Sequence, residues 1–250
     1  MKIYNVNYNY NTRMENLKEI LDISKFIGLS EESIAKRFAV IADILFNNYC
    51  IVKSGITYEF QEIEFYLYCE GHYDIITYPR SADSGDWYFH SSGLDLCFNS
   101  SPKPNHNSYS DKDNNPLLYG GILIRSLKKI INGKDEYITG PLKCCYELFD
   151  KFSAIEKQVK QYPYIEKREN RNHIVPLSSA RYLNFKDKSK KFKELNGRSK
   201  MANIDYGDFE KFMAKPYRFT VDFDPEALED KFLKSYLGKC ERVIKGAKSL

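Results

Sequence analysis

Residues 58–68 read Tyr-Glu-Phe-Gln-Glu-Ile-Glu-Phe-Tyr-Leu-Tyr. No other segment constrains the fold as strongly. It is long, aromatic and β-branched enough to be a central strand, yet three glutamates lie inside it. Side chains of a strand alternate between its faces. A regular strand would put Phe60, Glu62, Glu64 and Tyr66 on one side, with Glu59, Ile63, Phe65 and Leu67 mostly on the other. A carboxylate in an apolar strand is costly to bury without a partner. Two readings follow: Glu62 and Glu64 face a water-filled cleft or a cation, where a carboxylate can hold and deprotonate a water, or they are edge-strand acids facing solvent.

The elements around this strand define an α+β chain. Helical spacing predicts a helix over 14–27, stopped by Gly28, and a second from the Ser30 cap to about Asn47, with Ile34, Phe38, Ile41, Ala42 and Leu45 on one face. Strands are expected at 50–53, 87–90, 94–98, 117–127 and 216–223. Residues 70–85 and 99–116 read as loops. Thr139-Gly140-Pro141 opens a helix to about Val159, and Pro225 begins a last one to Leu237. With no repeat and no long linker, the chain is expected to form a single domain over 1–250: an arm and helix over 1–29, a core over 30–223 and a C-terminal helix over 224–250.

Composition excludes several classes. The 250 residues are 42% hydrophobic and 15% aromatic, with 20 Tyr, 16 Phe and a single Trp, too apolar for a disordered chain. No run approaches the ~18–20 apolar residues that span a bilayer. The net charge is +4, but 14 Lys/Arg against 5 Asp/Glu fall within 151–200. That segment carries +9 and the remainder −5. Tyr162, Tyr164, Tyr182 and Phe185 are interleaved with it. A basic, aromatic stretch suits phosphate contact, and it equally suits a solvated loop region.

Six cysteines occur without a Cys-x-x-Cys pair, most inside apolar stretches, and read as buried thiols. The first residues lack the apolar core of a signal peptide, so the expected setting is the reducing cytoplasm, near the nucleoid if the partner is DNA. His72, Asp74, His90 and Asp95 match no metal-ligand spacing, so no metal is expected. Neither a dinucleotide fingerprint nor a phosphate-binding loop is present, so no small-molecule cofactor is expected. Arg125, inside Gly-Gly-Ile-Leu-Ile-Arg-Ser-Leu, is a charge in an apolar run: a carboxylate's partner at the core edge, or a phosphate or base contact.

The order of these segments resembles the methylpurine (3-methyladenine, or alkyladenine) DNA glycosylases. Four blocks carry the resemblance: QEIEFYLY at 61–68, WYFHSSGLDLCFN at 87–99, GGILIRSL at 120–127 and TGPLKCCYEL at 139–148. KPYRF at 215–219 is a weaker fifth. The blocks keep the family's order over about 30–223, and each alone is unspecific. The resemblance implies a compact domain with a curved antiparallel sheet, and an enzyme that flips a damaged or modified base out of DNA and hydrolyses its N-glycosidic bond without metal or cofactor. It implies Glu64 as the base that activates water, Tyr66 and Phe89 as pocket aromatics, Asn99 as the residue reading the base edge, and His72 as a pocket residue. Arg125, Lys143 and Arg181 are the expected nucleic-acid or backbone contacts.

Three departures accompany the likeness. The family inserts a Tyr into the duplex where this chain has Ser92, so the wedge comes from elsewhere or the substrate is single-stranded, already distorted or not DNA. His72 follows Glu64 at a shorter interval than the family's pocket His, and Leu142 precedes Lys143 in the Gly-Pro helix. A non-enzymatic nucleic-acid-binding module on the same scaffold, or a protein-interaction domain presenting its tyrosines, are the other functions this sequence supports.

Overall fold

A computed structural model describes residues 16–100, 118–150, 162–168, 174–181, 187–196 and 204–221. The expected N-terminal arm, most of the 99–116 loop, the helix beyond Asp150 and the C-terminal helix lie outside them. The described elements, in chain order, are α1 (Leu17–Ile20), a 3₁₀ turn (Ile23–Phe26), α2 (Glu31–Asn48), β1 (Tyr49–Lys53), β2 (Ile56–Cys69), β3 (His72–Tyr73), β4 (Trp87–His90), β5 (Gly93–Cys97), β6 (Tyr119–Ile131), β7 (Lys134–Thr139), α3 (Pro141–Phe149), β8 (Tyr164–Lys167), β9 (Leu177–Ser179), α4 (Lys188–Asn196), α5 (Tyr206–Ala214) and β10 (Arg218–Thr220).

The architecture is α+β around one curved antiparallel sheet. Along the main path the strands run β4-β5-β6-β2-β1-β8. The 14-residue β2 and 13-residue β6 are its spine. Each exceeds its neighbours in length, so each edge takes several partners in succession. β5 and then β7 pair along the outer edge of β6, while β1, β10 and β3 pair in turn along the other edge of β2.

The face of β2 carrying Ile63, Phe65 and Leu67 packs on α2 and the 3₁₀ turn in the main hydrophobic core. There the Phe38 ring stacks on Phe65 with centroids 4.5 Å apart, and Phe26 meets Phe98 edge-on at 5.2 Å. The opposite face carries Tyr66 and Tyr68 into a second cluster, with Ile75, Ile76 and Leu123 below and Leu195, Phe209 and Phe212 of α4 and α5 above. The site described below lies on this second face.

The helix from the Ser30 cap forms as expected, with the Ser30 hydroxyl accepting from the Ser33 amide at 3.2 Å. The helix expected over 14–27 is broken in its described part. Asp22 accepts from the Ser24 amide at 2.9 Å and starts a fresh 3₁₀ turn, a local bond that competes with helix continuation. β6 extends four residues past Leu127 and turns back as β7, which the sequence reading left unassigned. The turn is Asn132-Gly133, with φ of 51° and 73°, the left-handed pair that two-residue hairpins favour. Among the described residues, no helix is long and apolar enough to cross a membrane.

Candidate functional site

The site begins with two irregularities facing each other across the spine of the sheet. Along β2 and β6, Phe60 pairs Leu127, Glu62 pairs Ser126 and Ile63 pairs Ile124. Gln61 is therefore extra on β2, and Arg125 is extra on β6. The extra Gln61 resets the alternation, so Tyr58 and Phe60 join Ile63, Phe65 and Leu67 in the main core. Phe60, expected beside the glutamates, thus lies on the other face. The extra Arg125 lets its guanidinium lie against both glutamates: Nε donates to Glu62 Oε1 at 2.7 Å, and Nη1 meets Glu64 Oε2 at 2.9 Å.

Other elements complete this charged cluster. The Ser126 hydroxyl donates to Glu62 Oε2 at 3.2 Å. Arg218 of β10, opposite Glu64 in register, adds a second guanidinium to Glu62. The Tyr66 hydroxyl donates to Glu64 Oε1 at 2.5 Å. Burial, with Glu64 beside it, pushes the Tyr66 phenol well above its ordinary range and keeps it a donor. Burial opposes the charge of Arg125, but Glu64 and Glu62 outweigh it and hold the guanidinium firmly protonated. Two carboxylates and two guanidinium groups balance, as buried charges must.

Above the cluster is a cavity of about 110 Å³ whose walls include Tyr66, Tyr78, Leu123, Arg125, Pro141 and Leu195. Arg80, His90, Ser92 and Asp95 also reach it. Asp95 Oδ2 accepts from Arg80 Nη1 at 2.5 Å, and Oδ1 takes His90 Nε2 at 3.0 Å. The Ser92 amide donates to His90 Nδ1 at 3.2 Å, so Nε2 carries the proton given to Asp95. Burial works against the Asp95 charge, but Arg80 and the His90 hydrogen bond hold its carboxyl below the ordinary carboxylate range. Gly93, at φ 150°, ends the β4–β5 hairpin against Pro141; a Cβ there would stand 2.8 Å from the Pro141 Cβ. The Gly140 amide donates to the Arg125 carbonyl at 2.8 Å. The four sequence blocks therefore meet at this cavity.

The expected site residues divide. Glu64, Tyr66 and Arg125 converge in one cluster, with Tyr66 and Arg125 in the cavity lining and Glu64 held behind them, outside it. Phe89 does not: its neighbours Tyr88 and His90 take the cavity side of β4, since Tyr88 pairs Asp95, and Phe89 turns outward, 53% exposed, onto Phe149 at 4.7 Å. Asn99 caps the 3₁₀ turn on the far face, its Oδ1 accepting from the Ile23 amide at 2.7 Å. His72 is buried, with Nδ1 2.9 Å from the Leu67 carbonyl and Nε2 2.9 Å from the Tyr217 hydroxyl, away from the cavity lining. Lys143 is exposed on α3, outside the lining.

Arg181, expected on nucleic acid, is fully buried. It pairs with Asp74 at 2.7 Å, donates to the Phe65 and Phe212 carbonyls at 3.2 and 2.6 Å, and sits 4.9 Å from the Tyr66 ring centroid. It supports the cavity wall from behind. Arg168, in the same basic stretch, is likewise internal, on Glu59 at 2.6 Å. His72 and Asp74 are thus engaged apart from His90 and Asp95, and no group that could hold a metal ion occurs among the described residues.

Tyr78, Arg80, His90 and Arg218 were not picked out as site residues from sequence. Tyr78 and Arg80 lie in an irregular segment without periodicity. His90 could have been placed by counting back from Asp95 through the hairpin.

No family model matches the chain. It is similar to an uncharacterized protein of Acanthamoeba polyphaga mimivirus, 32% identical over 128 residues. The similarity covers 46% of this chain and 57% of that protein, so the chain spans little more than half the length of the curated relative it matches.

Proposed function

We propose that this protein is a DNA glycosylase-like enzyme that takes a damaged or modified base out of the helix and hydrolyses its N-glycosidic bond, and that its sheet is arranged in the manner of the methylpurine DNA glycosylases. The observation that carries this is the Tyr66–Glu64–Arg125 cluster, in which Tyr66 and Arg125 line the cavity and Glu64 lies behind them, bonded to both. Each Glu64 oxygen has a further lone pair beyond the bond it accepts. A water drawn in between Tyr66 and Arg125 has the carboxylate behind them as proton acceptor and C1′ of an extruded nucleotide as target. Arg125 fixes the carboxylate, and the rings of Tyr66 and Tyr78 offer flat surfaces to a base. Incubation with single- and double-stranded oligonucleotides carrying a panel of damaged bases tests the reading. Abasic product is expected from at least one of them, and its absence from all would sink the enzymatic claim.

A second reading has its own support. Both Glu64 oxygens are already engaged within the protein and the residue is 1% exposed, which suits a module that binds an extruded base without cutting it. Base-dependent binding without abasic product would select that reading.

A further inference from the structure

The charged groups at the cavity are arranged with acceptors inward and donors outward. The Glu62 and Glu64 side chains are 4% and 1% exposed, whereas that of Arg125, clamped between them, is 19% exposed. Nε and Nη1 of Arg125 are engaged with the glutamates, so the outer edge of the guanidinium is what the trio presents. Arg80 lines the same cavity, held by Asp95 and by its own Nε donating to the Tyr78 carbonyl at 3.1 Å. The Asp95 oxygens hold Arg80 and His90; those of Glu64 hold Tyr66 and Arg125. The cavity thus offers cationic donors between aromatic walls, while its carboxylates are turned to partners in the protein. Its volume of about 110 Å³ is below the ~150 Å³ of an apolar cavity that holds benzene. A two-ring base is therefore too large for it, and a single six-membered ring enters only with part of the ring left in the open mouth.

We infer that the cavity selects a single-ring base bearing exocyclic carbonyl oxygens, a pyrimidine-2,4-dione of the uracil type, over amino-substituted and cationic alkylated bases. The Arg125 edge donates to a carbonyl oxygen; an amino group there would meet donor with donor, and an alkylated cation would meet a guanidinium. The chemical part of this inference rests on the glycosylase reading. Water oxygen bonds to C1′ as the C1′–N bond breaks. The bond's electron pair passes to the ring nitrogen and delocalises onto the carbonyl oxygen that Arg125 holds. The water proton goes to Glu64, and the departing base anion is protonated from solvent. A fixed cation at the developing negative charge is how such a leaving group is stabilised.

Four oligonucleotides differing at one nucleotide test it: deoxyuridine, deoxycytidine, 3-methyldeoxycytidine and deoxyinosine, each measured for equilibrium binding and for base release by the wild-type protein. Deoxyuridine is expected to bind at least tenfold tighter than the other three, about the factor one charge-assisted hydrogen bond supplies. Arg125→Lys, which keeps the charge but loses the planar fork, is expected to bring the deoxyuridine to deoxycytidine ratio close to one. Where that variant fails to fold, competition of free uracil against free cytosine for the wild-type protein reads the same preference. Equal or tighter binding of deoxycytidine, 3-methyldeoxycytidine or deoxyinosine overturns the inference, as does no base-dependent binding or an unchanged ratio in Arg125→Lys. Deoxyuridine preference without release from any strand supports the inference and removes the glycosylase reading. Release of 3-methylcytosine or hypoxanthine in preference to uracil does the reverse.

Discussion

Arg181→Met separates a structural arginine from a nucleic-acid contact. The residue is fully buried, and so is Asp74, its partner at 2.7 Å. Methionine keeps much of the volume and removes the charge. Asp74 would retain the Ile76 amide at 3.2 Å but lose its cation, and the Phe212 carbonyl would lose the donor now at 2.6 Å. Removing one partner of a buried pair costs about 3–5 kcal/mol, a large part of the ~5–15 kcal/mol that holds a domain folded. Urea unfolding followed by far-ultraviolet circular dichroism gives the difference. Adding Asp74→Leu removes the stranded charge, so the double variant should recover about 2 kcal/mol or more of the loss. The salt dependence of DNA binding, measured where each variant is folded, should be unchanged, whereas a lost phosphate contact reduces the log–log slope by about 0.9. An Arg181→Met protein within about 0.5 kcal/mol of wild type, with a shallower salt slope, would refute the burial argument.

Two further outcomes follow from the same geometry. A Cβ at Gly120 would stand 2.5 Å from the Tyr66 carbonyl oxygen and 2.9 Å from the Phe98 ring; since backbone cannot yield cheaply, Gly120→Ala should cost about 1–3 kcal/mol and shift the Tyr66 near-ultraviolet signal, and a neutral substitution would contradict the register of β2 on β6. Burial of His72, opposed by the nearby Asp74 charge, lowers its folded pKa below the ordinary histidine value, so this residue's stability contribution is complete above about pH 6.5 and is lost as pH falls toward the folded pKa, with a slope of at most about 1.4 kcal/mol per pH unit; His72→Gln should flatten the urea-midpoint profile between pH 7.5 and 5, and an unaltered profile would exclude His72 as its source.

The sequence made the spine legible and obscured its irregularities. Tyr58, Phe60, Ile63, Phe65 and Leu67 all face the main core. Their spacing steps from two to three at Gln61, and that step was the available sign of the bulge. A strand read with unbroken alternation places Phe60 beside the glutamates. The same bulge pair brings Arg125 to both carboxylates, and neither its existence nor its alignment follows from local propensity. Phe89 was placed by family position, whereas the pairing of Tyr88 with Asp95 decides that its neighbours take the cavity side. Arg168 and Arg181 show why a basic stretch overstates its surface charge. An arginine answering a distant carboxylate reads in sequence like one answering a phosphate, and the Glu59 and Asp74 partners lie 109 and 107 residues away. Glu64 and Tyr66 were legible because strand parity and block order both pointed to them, and Arg125 because a charge inside an apolar run fell in the third block.

The central claim is that Glu64 activates water against a base held in the cavity above it. The most direct measurement is the single-turnover rate of base release by wild-type protein and by Glu64→Gln, with binding of the same oligonucleotide measured in parallel. Glutamine retains the shape and can turn its oxygen to Arg125 and its amide to the Tyr66 hydroxyl oxygen, but it cannot take the water's proton. The expected result is a rate lowered by about 10²–10⁴ with affinity within a few-fold of wild type. Equal release by the two proteins would contradict the assignment of Glu64.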